Sequence, residues 1–282
     1  MAGAVETYTH SGKIPPQGAL LAVGGTLVGA SVAGWLYTEF ICGIPWIYVN
    51  VIAVAVFGFV VGAIASWLTR LGKIRNPGFS ALLGICAAFV GLYVAWGHDV
   101  TVRGLYEDAP FSLSPGHVWA YVQAFNADGG WMINGTVPTG YALWAIWLIE
   151  TTIVVLVAWA GSNDALGSAI CCEPCGRWTK LDPEVRRMTR DTSDWLRVEL
   201  FKGNSDVLLG EMGAPRAGNY VRVDLNTCGG CFESNYATLV GVRVTTTKDG
   251  DGGHTETTSE TTLELPVRIP ARVAKAFREA TP

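Results

Sequence analysis

Charged residues are scarce in this chain of 282 residues. Asp, Glu, Lys and Arg make up 16% of it, whereas about 25% is typical of soluble domains. An excess of basic residues is also lacking, since the formal net charge is −4, and we therefore predict no nucleic-acid partner. Hydrophobic residues account for 50% of the chain, and 11 tryptophans are present. This composition excludes a disordered chain and argues against a wholly soluble protein.

The shortage of charge is confined to the N-terminal part. Residues 1–161 hold five of the 20 Lys and Arg residues and seven of the 24 Asp and Glu residues. The composition changes at residues 161–164, whose Gly-Ser-Asn-Asp sequence is typical of a helix end followed by a turn. We therefore predict an apolar domain over residues 1–161 and a well-charged soluble domain over residues 162–282.

Four stretches of the apolar domain are long enough to cross a bilayer, which takes about 20 apolar residues in a helix. They cover residues 18–37, 45–68, 79–96 and 141–160. Tryptophan and tyrosine stand near their ends, where amphipathic rings favour the headgroup level. The first stretch lacks a basic segment before it and is followed by three more, so we do not interpret it as a signal peptide. We predict an all-α membrane domain of four transmembrane helices in contact with the lipid bilayer.

The loops between these stretches predict the orientation. The loop after the second stretch contains Arg70, Lys73 and Arg75 and no acidic residue, which favours the cytoplasmic side. The loop 97–140 has one basic and four acidic residues, and we place it outside. With four spans, both termini and the soluble domain are then cytoplasmic. Compact loops, together with paired cysteines in a reducing compartment, favour a bacterial inner-membrane protein.

The outer loop 97–140 contains a predicted helix. Ser114 and Pro115 are typical of its N-cap and first position. Apolar residues then recur at helical spacing: Val118, Tyr121, Val122 and Phe125. We predict an amphipathic helix that lies on the membrane or on the helix bundle. It either covers the helix ends or forms a site for an external ligand or partner.

Glu150 is the one acidic residue deep inside a predicted span. Carboxyl groups at this depth are costly, so they are functional candidates. Glu150 either handles protons or couples ions, or it makes a hydrogen bond between helices. We predict no second buried charge. We assign three scattered histidines to the surface: His98, just outside the third span, His117 in the outer loop and His10 in the N-terminal segment.

Small residues recur at every fourth position of three spans. The rows are Gly25, Gly29 and Ala33, then Gly58, Gly62 and Ser66, then Gly84 and Ala88. Such rows let helix backbones approach closely. They predict tight packing of the bundle or self-association through these helix faces, and a glycine-lined transport path is the alternative.

Five of the seven cysteines form two clusters in the soluble domain. Cys172 and Cys175 form one CxxC motif, and Cys228 and Cys231 form the other. Four thiolates from two such motifs suit a tetrahedral Zn²⁺. Cys171 is an alternative to Cys172 as a ligand. We predict a structural zinc site, and the competing interpretation is thiol redox chemistry, since a CxxC motif lowers the pKa of one thiol.

These two motifs resemble the knuckles of zinc-ribbon-type modules, in which Cys-x-x-Cys is commonly followed by Gly, as Cys175 is followed by Gly176. The resemblance covers only the knuckles and the surrounding strands within residues 171–270. It implies a Zn²⁺ held by the four cysteines and a β-meander. The chain departs from the family because 52 residues separate Cys175 from Cys228, whereas a gap of about 15–20 is typical. We predict that a helical insertion fills this gap.

The remaining patterns predict a small α+β domain with an antiparallel β-meander. Asp182-Pro183-Glu184 is typical of a helix start, and residues 195–201 fit either a strand or a helix. Alternating residues predict strands, and Pro270 precedes a predicted final helix. The strands cover residues 220–225, 237–247 and 255–267, and the helix covers residues 271–280.

Catalytic patterns are lacking in the soluble domain. We find no glycine-rich phosphate loop, no Ser/His/Asp constellation and no carboxylate pair at a defined spacing. We therefore predict a non-enzymatic integral membrane protein whose zinc domain is a cytoplasmic interaction or assembly module, with a protein partner or self-association. The alternatives are a transport or channel component that uses Glu150, and a membrane thiol oxidoreductase that uses the CxxC pairs.

Overall fold

The computed structural model divides the chain into two compact units. It describes residues 6–44, 47–102, 111–130, 132, 135–167, 169–189, 193–210, 219–248, 254–263 and 266–280. The helical unit comprises Ser11–Ser168, and the sheet unit combines Met1–His10 with Ala169–Pro282. These bounds differ from the predicted division at residues 161–164. The last helix of the helical unit continues to Gly167, and the N-terminal segment pairs with the sheet unit through a bridge between Thr7 and Val267.

The helical unit contains four long apolar helices and one shorter helix. They are α1 (Pro16–Gly43), α2 (Ile47–Leu71), α3 (Pro77–Val102), α4 (Pro115–Asp128) and α5 (Gly140–Gly167). Three of the predicted spans lie within these helices, and the second does so from residue 47 onward, since residues 45–46 lie outside the described residues. Each of the four long helices is long and apolar enough to cross a membrane. Asn76 caps α3, because its side-chain oxygen accepts a hydrogen bond from the backbone N–H of Phe79 at 3.0 Å.

Small residues allow the long helices to pack closely. α1 packs against α2 and α3, and both of these pack against α5. A Cβ atom at Gly34 would lie 2.1 Å from the carbonyl oxygen of Gly91, so only glycine fits there. Five members of the predicted rows likewise lie against neighbouring helices of the same chain: Gly25, Gly29, Gly58, Gly62 and Gly84. The described structure thus uses these rows for packing within the helical unit.

α4 lies against α3 and α5 through its apolar side. The four residues that we predicted for that side are buried. They form one cluster with Val100, Leu143 and Trp147, against which Trp96 packs. The helix therefore lies on the bundle, where it covers the ends of α3 and α5. Residues 103–110 of the same loop lie outside the described residues.

The sheet unit is built on antiparallel strands. The strands are β1 (Cys171–Cys172), β2 (Arg177–Trp178), β3 (Lys180–Thr189), β4 (Asn219–Thr227), β5 (Asn235–Lys248), β6 (His254–Thr262) and β7 (Val267–Arg268), and the helices are α6 (Ser193–Phe201) and α7 (Ala271–Ala280). The main sheet has the order β3-β4-β5-β6, with β7 also paired to β5, and β1 pairs with β2. Its core includes Leu196 and Leu200 of α6, Val223 and Leu225 of β4, and Phe277 of α7.

Most of the predicted elements of this unit are confirmed. The first two predicted strands lie within β4 and β5, residues 195–201 are helical in α6, and the final helix is α7. The third predicted strand is divided into β6 and β7, between which residues 264–265 lie outside the described residues.

The predicted helix start at Asp182-Pro183-Glu184 is wrong, because these residues belong to strand β3. Asp182 pairs with Leu225 of β4, and the register then shifts before Arg186. Pro183 falls in this irregular stretch, where a residue without an N–H is tolerated. Glu184 has φ +56°, and its N–H donates to Oδ1 of Asp224 at 2.8 Å. Pairing with β4 therefore overrides the local helix signal.

Candidate metal centre

The pairing of β3 with β4 brings the two CxxC knuckles together. The first knuckle lies in the turn between β1 and β2, and Lys180 begins β3 five residues after Cys175. Lys180 pairs with Thr227, the residue before Cys228. The second knuckle then links β4 to β5, where Thr227 also pairs with Asn235. The antiparallel pair of β3 and β4 therefore brings together the two ends of the 52-residue segment between Cys175 and Cys228. The helix that we predicted in this segment occupies only part of it, as α6.

Four thiols form one compact cluster. The Sγ atoms of Cys172, Cys175, Cys228 and Cys231 all lie within 4.8 Å of one another. The Sγ atoms of Cys172 and Cys231 are 3.4 Å apart. Zinc–sulfur distances of about 2.3 Å give a tetrahedron with edges of about 3.8 Å. The cluster therefore has the size and donor set of a metal site with four thiolate ligands.

Glycines allow the tight turns of both knuckles. Gly176 has φ +58°, which glycine adopts without strain, and its N–H donates to the carbonyl oxygen of Cys172 at 2.8 Å. In the second knuckle, a Cβ atom at Gly230 would lie 3.2 Å from Sγ of Cys175. A side chain there would press on the thiol cluster. Glycine next to the cysteines thus allows the backbone to approach sulfur closely.

Backbone N–H groups point at the thiols of the second knuckle. Gly230 N–H donates to Sγ of Cys228 at 3.4 Å, and Glu233 N–H donates to Sγ of Cys231 at 3.5 Å. Burial raises the pKa of the Cys228 thiol, but the N–H groups of Cys231 and Gly230, together with hydrogen bonds from the thiols of Cys172 and Cys175, lower this pKa to about 6. The N–H group of Glu233 similarly lowers the pKa of Cys231. These donors favour the thiolate form, which is the form that binds metals.

The thiols of the first knuckle have the opposite tendency. Hydrogen bonds with Cys231 and Cys228 raise the pKa of Cys175 to about 12. Burial is the main cause that raises the pKa of Cys172. Four thiols this close cannot all ionise without a compensating charge, because like charges repel. A bound divalent cation would supply that charge and would allow all four to act as thiolates.

Cys171 lies outside the four-thiol cluster. Its thiol donates to the carbonyl oxygen of Arg177, with an S···O distance of 3.4 Å, and its backbone N–H donates to the hydroxyl of Tyr8 at 3.0 Å. Consecutive side chains of a strand point to opposite faces. Cys172 therefore joins the cluster, and the alternative assignment to Cys171 has no support in the geometry.

Two residues far from the knuckles in the sequence, Arg278 and Tyr8, make contacts that support the knuckles and that sequence reasoning missed. The guanidinium of Arg278 in α7 lies over the ring of Phe232, 5.2 Å from its centroid, and donates to Oγ1 of Thr227. The N-terminal segment contributes Tyr8, whose hydroxyl contacts the backbone of Cys171. No local pattern in the sequence indicates either contact, because both partners are far apart along the chain.

The polar side chains of the helical unit that the sequence singled out are not part of the thiol cluster. Glu150 is half-buried within α5. His98, which we predicted at the surface, is buried, and so is Asp99 beside it. Nε2 of His98 lies 2.8 Å from Oε1 of Glu39, and Oδ2 of Asp99 accepts a hydrogen bond from the Tyr121 hydroxyl at 2.6 Å. The surface prediction is wrong because α3 continues to Val102, six residues past the predicted end.

Comparison with known proteins finds no match to this chain among family models, curated proteins or solved structures. The likeness to zinc-ribbon-type modules therefore depends on the knuckle sequences and on the clustering of the four cysteines. Any functional conclusion has to come from the chemistry of the site itself.

Proposed function

We propose that this chain is an integral membrane protein whose sheet unit holds a structural Zn²⁺ and serves in the cytoplasm as a non-enzymatic interaction or assembly module. The observation that carries the proposal is the cluster of four thiols from two distant segments. Thiolates favour Zn²⁺ over hard cations such as Mg²⁺ and Ca²⁺. Four protein ligands leave no open position for a substrate, which is typical of structural zinc.

The polar groups elsewhere in the sheet unit support a non-enzymatic role. Glu184 is paired with Arg187, and Asp224 and Glu260 are both paired with Arg222. Within the described part of this unit, these carboxylates are therefore engaged in ion pairs, of which that between Arg222 and Glu260 joins β4 to β6. In this proposal, the metal fixes the β1–β2 turn against the β4–β5 turn, and the stabilised sheet presents a surface to a partner.

The helical unit supports the proposed location. Near the start of α3, the hydroxyl of Ser80 donates to the carbonyl oxygen of Ser162, close to the end of α5, at 2.8 Å. Gly18, near the start of α1, lies against Gly72 after α2. The start of α1 and the end of α5 thus lie at the same end of the bundle, which is also the end with the basic loop of residues 70–75. Basic loops favour the cytoplasm, and we propose the inner membrane of a bacterium.

Chemical cross-linking in membranes of cells that express the full chain tests the interaction role. The comparison uses the wild type, a Cys175→Ser/Cys231→Ser double variant, and Cys86→Ser as the control, since Cys86 is an exposed cysteine of α3 outside the cluster. We expect cross-linked species in the wild type and the control and their loss in the double variant. Identical cross-link patterns in all three proteins would refute a role for the metal-stabilised sheet unit.

Transport of protons or ions is the second candidate function. The observation that favours it is the half-buried carboxyl group of Glu150 within the apolar helix α5. The test is proton flux into vesicles that contain the reconstituted protein. This candidate predicts that Glu150→Gln abolishes the flux, whereas Asp128→Asn, at the exposed end of α4, preserves it. Equal flux through wild type and Glu150→Gln would eliminate it.

A thiol oxidoreductase has less support from the geometry. Reactive CxxC motifs normally lie at a helix N-terminus, where the helix dipole stabilises the thiolate. Here, one motif lies between β1 and β2, and the other lies between β4 and β5. A sulfur pair 3.4 Å apart also joins the two motifs, through Cys172 and Cys231. The arrangement therefore resembles a shared metal site more than two independent dithiols.

A further inference from the structure

Exposed aromatic side chains stand near both ends of α2 and of α5. They are Tyr48 and Trp67 on α2, and Tyr141 and Trp159 on α5. At about 1.5 Å per residue, the two members of each pair lie about 27–29 Å apart along their helix. This separation is close to the thickness of about 30 Å of the hydrocarbon core of a bilayer. We call the end of the bundle with Tyr48 and Tyr141 the first aromatic level.

The two helices share this level because they pack in parallel. A Cβ atom at Gly58 would meet the backbone of Val154, and a Cβ atom at Gly62, one turn later, would meet the backbone of Ala158. α2 and α5 therefore run in the same direction with one register. The same register places Tyr48 level with the start of α5. Aromatic rings at a common level are typical of the boundary between hydrocarbon and headgroups.

Trp119 of α4 extends the first aromatic level beyond the long helices. Its side chain is 53% exposed, and its ring lies beside the ring of Trp144 in α5, with 5.9 Å between the centroids. Trp144 is itself 38% exposed, and Leu148, one turn later on the same face of α5, is also exposed. The exposed apolar surface of α5 thus continues onto α4.

The two flanks of α4 differ in polarity. Val118 is buried against the bundle, and its neighbours Trp119 and His117 lie about 160° apart around the helix axis, one on each flank. Asp128, about three turns after His117, lies on the same flank as that histidine. The opposite flank carries Trp119 and the uncharged Asn126, whose Nδ2 donates to the carbonyl oxygen of Gly140 at 2.9 Å. We call these the His117 flank and the Trp119 flank.

We propose that α4 lies in the headgroup layer at the first aromatic level, with the Trp119 flank against lipid and the His117 flank toward water. This inference rests on the proposed membrane insertion of the four long helices. The occupant of the Trp119 flank is a lipid surface, because this flank continues the exposed face of α5 and because indole rings favour the headgroup level. The helix thus contacts the bundle with one side and the bilayer with another.

Site-specific photo-cross-linking tests this inference in the full chain. The protein is reconstituted in nanodiscs of phosphatidylethanolamine and phosphatidylglycerol, with benzoylphenylalanine in place of Trp119. The positive control for lipid contact carries it at Leu148, an exposed residue within α5. The matched control on the same helix carries it at His117, which is exposed on the other flank. Mass spectrometry counts the lipid adducts, and an apparent Tm in detergent equal to that of the wild type reports that each variant is folded.

We expect lipid adducts at positions 119 and 148, at least about fivefold above those at position 117. Adducts at position 148 but not at position 119 would overturn this inference and leave the proposed membrane insertion intact. Absence of adducts at position 148 would refute the membrane insertion itself. Equal adducts at positions 117 and 119 would overturn the assignment of the two flanks. Cross-links from position 119 to another protein in place of lipid would assign the Trp119 flank to a protein partner and would also overturn the inference.

Discussion

Two adjacent cysteines have different surroundings in this protein. The thiol of Cys171 bonds to the Arg177 carbonyl, whereas the thiol of Cys172 joins the four-thiol cluster. We predict that Cys172→Ser lowers the zinc content from about one ion per chain to nearly none, because a serine hydroxyl is a poor zinc ligand. Cys171→Ser should retain full zinc, since serine can keep the hydrogen bond. Elemental analysis of both purified variants checks this, and equal zinc loss in both would contradict the assignment.

A second prediction at the residue scale concerns Tyr121. Its hydroxyl donates to Oδ2 of Asp99 at 2.6 Å, and both residues are buried. Tyr121→Phe removes a donor from a buried carboxylate, and we expect a loss of about 1–3 kcal/mol in stability. The readout is the apparent Tm in detergent. The control is Tyr141→Phe, since Tyr141 is 96% exposed, and an equal Tm for the two variants would count against the hydrogen bond.

At the scale of elements, glycines decide how closely the long helices approach. A Cβ atom at Gly34 would lie 2.1 Å from the Gly91 carbonyl oxygen, whereas a Cβ atom at Gly24 on the same helix would meet nothing within 4 Å. Overpacking typically costs about 1–3 kcal/mol. We therefore expect Gly34→Ala to lower the apparent Tm in detergent by several degrees and Gly24→Ala to leave it unchanged. Similar Tm values for the two variants would argue against this packing.

Elements with a strong local pattern were predictable from the sequence. Long apolar runs predicted the four long helices, alternation predicted β4 and β5, and Pro270 marked the start of α7. These signals are local, because side-chain period and turn residues determine them. The inclusion of residues 182–184 in strand β3 was not predictable, since their Asp-Pro-Glu sequence favours a helix start and only the pairing of β3 with β4 on both sides of this irregular stretch overrides that signal.

The candidate metal site likewise has one part that the sequence predicts and another part that it does not. The four ligands follow from the CxxC spacing, because that spacing places two thiols on one turn. The supports of the site, Arg278 against Phe232 and Tyr8 against Cys171, depend on contacts between distant segments. The contact of buried His98 with Glu39 was missed for a related reason: the burial of His98 depends on the full length of α3.

For the whole molecule, the account predicts that metal removal affects the two units differently. Without Zn²⁺, no ion joins the thiols of the two knuckles, and the β3–β4 pairing next to them is weakened. The four long helices contain none of the clustered cysteines. We expect that a chelator exposes Arg186 and Arg187 of β3 to trypsin, while circular dichroism retains the helical signal. Trypsin cleavage at an unchanged rate after zinc release would contradict a structural role for the metal.

The central claim is that the four clustered cysteines hold one structural zinc ion. The most direct measurement combines elemental analysis of the purified full chain with thiol titration before and after addition of a chelator. The account predicts about one zinc per chain and four thiols that react only after chelation. A protein without zinc, whose thiols oxidise and reduce reversibly in pairs, would contradict the account and would favour thiol redox chemistry.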